Sequence, residues 1–218
     1  MKVSKLFEEG HTIVWSYLTV LEWPWEALSQ IKTYIELIGA TLDSEEYEQR
    51  PENVWIHKTA SIAPSAFIGS SVIIDAGAEI RHCAYIRKDA IIGKNAVVGN
   101  STELKNVILF DGVQVPHYNY VGDSILGHNS HLGAGAITSN VKSDSSLVTV
   151  SCGAERIETG FKKFGAILGD NVEVGCNAVL NPGTIIGPNS NVYPLSMVRG
   201  FVPAGSIYKA QGNIVIKA

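Results

Sequence analysis

Apolar positions along this chain keep a fixed beat. Ile56, Ile62, Ile68, Ile74, Ile80, Ile86, Ile92, Val98, Leu104 and Phe110 fall six residues apart, and the beat returns at Leu168, Val174, Leu180, Ile186, Val192 and Val198. Four residues after most of them stands a small or β-branched residue: Ala60, Ala66, Val72, Ala78, Ala84, Ala90, Ala96 and Thr102, then Val172, Ala178 and Thr184. A period of six fits neither a helix nor a simple alternating strand, so it belongs to a repeating coil. It predicts a parallel β-helix of short strands and tight turns. The aliphatic residue of each hexad points into a narrow prism, and the small residue lets the chain turn a corner. The fold class is therefore mainly β, with the β-helix over residues 51–218.

Residues 1–50 follow a different pattern and read as a helical appendage. Ser4 is placed to cap a short helix through Glu9, which Gly10 would stop. Pro24 opens a second segment in which Ala27, Ile31, Tyr34, Ile35 and Ile38 form one apolar helical face, and Gly39 suits its end. Trp15, Trp23 and Trp25 read as anchors docking this segment on the main domain. The acidic stretch 43–48 reads as a solvated linker.

The beat breaks twice. Pro116 holds the slot after Phe110, but Leu126 and Leu132 come late, which places four extra residues in PHYNYVGDSI and predicts a loop at 116–125. The second break spans 138–166, where LVTVSC and RIETG flank Gly153 and predict a projecting hairpin. A solenoid expels insertions from its wall, and functional residues gather on such loops. The tail from Val202 is placed to cap the open end.

Composition narrows the function classes. A hydrophobic share of 45% and a charged share of 17% in 218 residues suit a soluble globular chain. The net charge of −4 gives no case for a nucleic-acid partner. Cys83, Cys152 and Cys176 are scattered and form no CxxC pair, so neither a disulfide framework nor a metal site is expected. No apolar run approaches the ~18 residues of a membrane span, and the N-terminus lacks the order of a signal peptide. A cytoplasmic protein with no membrane partner is the expectation.

Candidate chemistry starts at Arg87 and runs through VVGNSTELKN (97–106) and VPHYNYVGDSILGHNSHLGAGAITSN (115–140). This stretch resembles the acetyltransferase half of bifunctional N-acetylglucosamine-1-phosphate uridyltransferases, in register from about Arg87 to Asn140 and more loosely beyond. The resemblance implies a hexapeptide-repeat acyltransferase with a left-handed parallel β-helix, an exception to the usual right-handed crossover. It also implies a homotrimer, with acetyl-CoA as co-substrate in a groove between neighbouring prisms.

Carried over by position, the resemblance makes His117 the catalytic base, a task that suits an imidazole titrating near neutrality. Arg87 and Lys105 fall on cations that hold a sugar phosphate, and Tyr120 and Asn140 on residues that contact the sugar. The backbone at Gly133, Ala134 and Gly135 can approach the thioester oxygen, which makes Ala134 a candidate catalytic position. His131 stands where the family has a substrate-binding asparagine. The family's lysine after Asn140 is replaced by the 138–166 excursion, in which Lys142, Lys162 or Lys163 could compensate. The chain carries no Gly-rich nucleotidyltransferase segment, so that activity is not expected.

Three function classes follow. The first is an acyltransferase that acts, through acetyl-CoA, on an amino sugar phosphate or a nucleotide sugar such as a UDP-N-acetylglucosamine relative. The second is a non-catalytic sugar-nucleotide-binding or regulatory protein. The third is a metalloenzyme resembling γ-class carbonic anhydrases, drawing on His82, His117, His128 and His131, although position 122, five residues after His117 where a paired histidine is wanted, is Gly122.

Overall fold

The computed structural model describes residues 1–153, 155–210 and 212–217. They form a parallel β-solenoid whose coils have three walls. On the first wall, Ile56, Ile74, Ile92, Leu109, Leu126, Leu168, Ile186 and Val202 follow one another in register. The second wall stacks Ile62, Ile80, Val98 and Val115, and further on Leu132, Val174, Val192 and Tyr208. The third wall stacks Ile68, Ile86, Leu104 and Val121, and then Thr138, Leu180 and Val198. Nearly all of these side chains are fully buried along the prism axis. The hexads thus place the expected β-helix core.

The first break is not an insertion. Ile86 faces Leu104, but Lys88 faces Lys105, so one residue drops out of the corner between the third and first walls. Leu109 rather than Phe110 therefore enters the stack, and the next coil keeps the shorter count, with Tyr120 facing Glu103 and Leu126 facing Leu109. The expected loop at 116–125 is wall: strand Gln114–His117 turns directly into strand Tyr120–Leu126. Counting in sixes across a deletion had made two short coils look like one long insertion. Phe110 is still fully buried, against Phe7 of the N-terminal segment, with ring centroids 4.7 Å apart. The second excursion leaves the third wall after Thr138 and returns at Ala166, carrying the antiparallel hairpin Thr149–Cys152 and Glu155–Glu158. Strand Asn213–Ile216 turns back antiparallel on Ser206–Ala210 at the far end of the second wall.

The N-terminal segment differs from its expectation in detail. Its first helix covers only Val3–Leu6, with Lys2 at the N-cap and no side-chain cap. Pro24–Ser29 is a 3₁₀ turn that precedes the helix Ile31–Gly39, yet Ala27, Ile31, Tyr34, Ile35 and Ile38 all point inward and are buried. A chain boundary at residue 50 cuts a hairpin, because Tyr47–Arg50 pairs antiparallel with Val54–His57. Tyr47 is no solvated linker residue: its buried hydroxyl donates to Asp75 at 2.7 Å.

The placement of this segment follows from aliphatic doublets. Strand residues alternate faces, so Ile73, Ile91, Ile108 and Ile125 point away from the prism beside the inward Ile74, Ile92, Leu109 and Leu126. All four are nonetheless fully buried. The helix Ile31–Gly39 lies over strands Phe67–Ile74 and Tyr85–Ile92, and Pro24–Ser29 lies over Tyr120–Leu126. Covering such a wall removes apolar surface worth about 25 cal/mol per Å². Among the described residues, no helix is long and apolar enough to cross a membrane.

Candidate functional site

Of the expected site residues, Arg87, Lys105, His117, Tyr120, Ala134 and Asn140 come together along the third wall and its two corners. His131 does not. It lies on the second wall, facing Gln114 and Glu173, and its Nδ1 meets Glu173 Oε2 at 2.8 Å.

The corner between the third and first walls is built around a carboxylate. Lys105 Nζ donates to Asp123 Oδ1 at 2.7 Å, and Asn106 Nδ2 donates to the same oxygen at 3.0 Å. Asn140 Nδ2 donates to Asp123 Oδ2 and, at 3.2 Å, to the Tyr120 hydroxyl. The side chains of Lys105 and Asp123 are only 17% and 4% exposed. Lys105 is therefore committed to an internal ion pair, unlike the free phosphate cation implied by the resemblance. Arg87 is exposed, and its Nη1 reaches Glu103 Oε1 at 2.8 Å. Burial, followed by the nearby charge of Asp123, pushes the Tyr120 phenol up, which keeps it protonated at neutral pH.

The Tyr-x-Gly-Asp motif now has a physical reason. A Cβ at Gly122 would lie 2.5 Å from the Tyr120 hydroxyl. Glycine at that position lets the phenol fold back toward the wall, where Asn140 holds it. Asp123 sits at φ 48°, in the left-handed region that turns the corner.

The corner between the second and third walls is open. There Gly135 N donates to His117 O at 3.0 Å, and Asn177 N donates to Ala134 O at 2.9 Å, so His117, Ala134 and Cys176 occupy successive coils. Adjacent coils stand about 4.8 Å apart. His117 is exposed, and among the described residues no hydrogen bond holds its imidazole. Its backbone is fixed instead: His117 N donates to Asn119 Oδ1 at 3.1 Å, while Asn119 Nδ2 donates to Gly133 O at 2.8 Å and Ala136 O at 3.1 Å. Gly133 is required by this packing, since a Cβ there would meet Cys176 N at 2.7 Å. Beyond this corner a groove of about 360 Å³ runs along the second wall, lined by His131, Gly133, Gly175, Cys176, Tyr193 and Pro194 among others.

The remaining candidates are dispersed. Lys142 Nζ bonds Ser146 Oγ at 2.6 Å and lines a separate cleft of about 280 Å³ with Asn181 and Arg199. Lys162 and Lys163 are exposed. His82 shares the His117 corner, with its Nδ1 2.6 Å from Ser65 Oγ. His128 stacks on His11 with ring centroids 3.7 Å apart, at the corner between the first and second walls. The histidines considered as metal ligands thus do not converge within one chain. Among the described residues there is no group of three or more His, Cys, Asp and Glu that could hold a metal.

The sequence alone assigns no site role to Asp123, Asn119 or Glu103. The pairing of Asp123 with Lys105 follows once positions 105 and 122 are recognised as neighbours on adjacent coils. The supposed insertion at 116–125 hid that relation.

Fold and wall together define a hexapeptide-repeat solenoid with an ordered polar wall. Within that class, the chain belongs to the family described as the GMPPB C-terminal domain, which matches residues 70–193. The chain is 35% identical over 109 residues to a bifunctional sugar-1-phosphate nucleotidylyltransferase/acetyltransferase of Sulfurisphaera tokodaii, a match covering 50% of this chain and 27% of that protein. It is 39% identical over 89 residues to the bifunctional protein GlmU of Methanocaldococcus jannaschii, covering 41% of this chain and 22% of that one. The chain thus spans about a quarter of the length of the curated relatives it matches. Among solved structures, a hexapeptide transferase family protein from Anaplasma phagocytophilum aligns at a TM-score of 0.43 and 18% identity, over 76% of this chain and 81% of that one.

Proposed function

We propose that the chain is an acyltransferase that moves an acetyl group from acetyl-CoA to the amino group of a sugar phosphate or nucleotide sugar. The observation that carries this reading is the convergence of His117, Tyr120, Arg87 and Asn140 on one wall and its corners, from three different coils. The name of the Sulfurisphaera tokodaii relative, which joins sugar-1-phosphate chemistry to acetyl transfer, supports it.

In this reading, His117 removes a proton as the acceptor amine attacks the thioester carbonyl; the C–N bond forms, the C–S bond breaks, and the departing CoA thiolate takes up that proton from the imidazolium. The groove along the second wall, mostly apolar and ending at the His117 corner, fits the pantetheine arm of acetyl-CoA. Tyr120 and Asn140 hold sugar hydroxyls. Arg87 exchanges its exposed partner Glu103 for the acceptor phosphate, at little cost because surface ion pairs are weak. Lys105 does not reach the phosphate but fixes Asp123. His117 has no orienting partner among the described residues, and a neighbouring copy packed on the third wall supplies the rest of the site in a homotrimer. Exposed Phe67, Tyr85, Ile137 and Met197 on that wall support such packing.

The test is release of free CoA thiol from acetyl-CoA in the presence of glucosamine 1-phosphate, galactosamine 1-phosphate and UDP- or GDP-linked amino sugars, alongside light scattering. The reading expects turnover of at least one acceptor by a trimer. A stable monomer that turns over none of them, yet binds a sugar nucleotide by calorimetry, favours the non-catalytic alternative.

A further inference from the structure

The N-terminal segment does more than cover the first wall. Asn106 Nδ2 donates at 3.0 Å to Leu28 O, in the turn Pro24–Ser29, and at 3.0 Å to Asp123 Oδ1. One amide thus joins the appendage to the buried carboxylate of the site. A second link runs through Trp25, which is 2% exposed and lies against Phe164 with ring centroids 6.1 Å apart. Phe164 N donates to Asn140 O at 3.0 Å, and Gly165 N donates to Asp123 O at 2.8 Å. Asn140, which donates to the Tyr120 hydroxyl, and Asp123, which accepts from Asn140, are therefore both tied to the same six-residue turn.

We infer that the N-terminal segment is a positioning element of the acceptor site. Through Asn106 and Phe164 it fixes the orientation of Asp123 and Asn140, and through Asn140 that of Tyr120. The inference rests on the reading that the third wall takes the amino-sugar acceptor. Its physical basis is the geometry of the carboxylate. Oδ1 accepts from Lys105 and Asn106, and Oδ2 accepts from Asn140. Without Asn106, Oδ1 keeps only the flexible lysine, and the carboxylate is free to turn about its last torsion, taking the Asn140 amide with it. An apolar cover alone would need no such bond, since the outward isoleucines already bury the wall.

Asn106→Gly separates these roles, because Asn106 sits at φ 56° and glycine accepts that conformation without strain. Trp25→Leu loosens the second link while keeping an apolar residue. Both variants are measured in the full chain, with acetyl-CoA and glucosamine 1-phosphate or whichever acceptor the wild type uses. Amide hydrogen exchange is followed at residues 122–124 and 140. Asn106→Gly is expected to raise the acceptor KM by about tenfold and leave the acetyl-CoA KM within about twofold, the scale of one lost hydrogen bond to a charged group. Exchange at 122–124 is expected to quicken in both variants. If melting temperature falls while the two KM values move together or stay put, the segment is a cover and the inference is overturned. If the wild type acetylates no amino sugar, the functional reading fails by itself. Exchange then decides the tether: quickened amides at 122–124 uphold it, and unchanged ones overturn it.

Discussion

The two corners that bound the third wall are built to opposite rules. At the Asp123 corner every polar group has a partner within the chain: Lys105, Asn106 and Asn140 all converge on one carboxylate. At the His117 corner the backbone is held equally well, by Asn119, but the imidazole is exposed and has no hydrogen-bond partner among the described residues. The first corner is organised before any ligand arrives. The second has chemistry to offer and nothing of its own to direct it. Under the proposed function, the first corner orients the sugar and the second is completed by acetyl-CoA and a second copy.

Substitution at the open corner sharpens this contrast most. His117→Ala removes a side chain on which the fold does not depend, so melting temperature and oligomeric state are expected to stay near wild type. Acetyl transfer is expected to fall by about 10²–10⁴-fold, the usual worth of a positioned base. Equal turnover by the two proteins on the true acceptor would break the comparison, since the open corner would then carry no chemistry.

At the closed corner the order of effects reverses. Asp123→Asn strands Lys105 beside an uncharged partner and is expected to cost about 3–5 kcal/mol in chemical denaturation, as when one member of a buried ion pair is removed. Lys105→Met strands Asp123 in turn, and the double variant is expected to recover much of either loss. Additive losses in that cycle would show that the pair does not act as a unit. Arg87→Ala is the smaller case on the same wall. Its exposed pair with Glu103 contributes at most about 1 kcal/mol, so stability should barely change. The expected change is a higher acceptor KM at nearly constant kcat, because a phosphate contact is present in ground and transition states alike. A fall in kcat at fixed KM would place Arg87 nearer the reacting atoms than the acceptor phosphate.

How far the sequence was legible varies along the same lines. The prism is a local code: Ile74, Ile80 and Ile86 declare themselves by spacing, since each must fill one layer of a repeating core. The motif residues Tyr120 and Asn140 were legible because they sit in a run that keeps its order. Three features escaped. The deletion between Leu104 and Lys105, opposite Arg87, shortens a corner by one residue, and counting in sixes converts that into an apparent insertion farther on. The aliphatic doublets Ile73-Ile74 and Ile91-Ile92 do report a wall covered on both sides, but spacing in sixes registers only the inward partner. The role of Asp123 depends on side chains one coil away and on Leu28, far off in sequence, which no local pattern encodes.

The remaining corner, between the first and second walls, tests whether closure always stabilises. Asp111 lies there, with its Oδ1 accepting from Lys94 N at 2.7 Å, yet burial outweighs that bond and pushes its carboxyl up. Among the described residues no lysine pairs with it as Lys105 pairs with Asp123, and the nearby charges of Lys94 and His128 only partly offset the burial. A carboxyl whose pKa is higher in the folded state favours folding most fully below its unfolded pKa. That contribution is lost as pH rises through the folded value. Asp111→Asn keeps an oxygen for Lys94 N and cannot ionise. Between about pH 3 and pH 7 the denaturation midpoint of the wild type is therefore expected to decline relative to that of the variant, the group charging only in the wild type. Titrations common to both proteins cancel in the difference. This effect is the smallest of the set, because Asp111 is only partly buried and Lys94 N offsets some of the cost. Parallel midpoints across the range would mean that the corner solvates Asp111 fully. A difference of the opposite sign would mean that the folded corner favours the charged carboxylate.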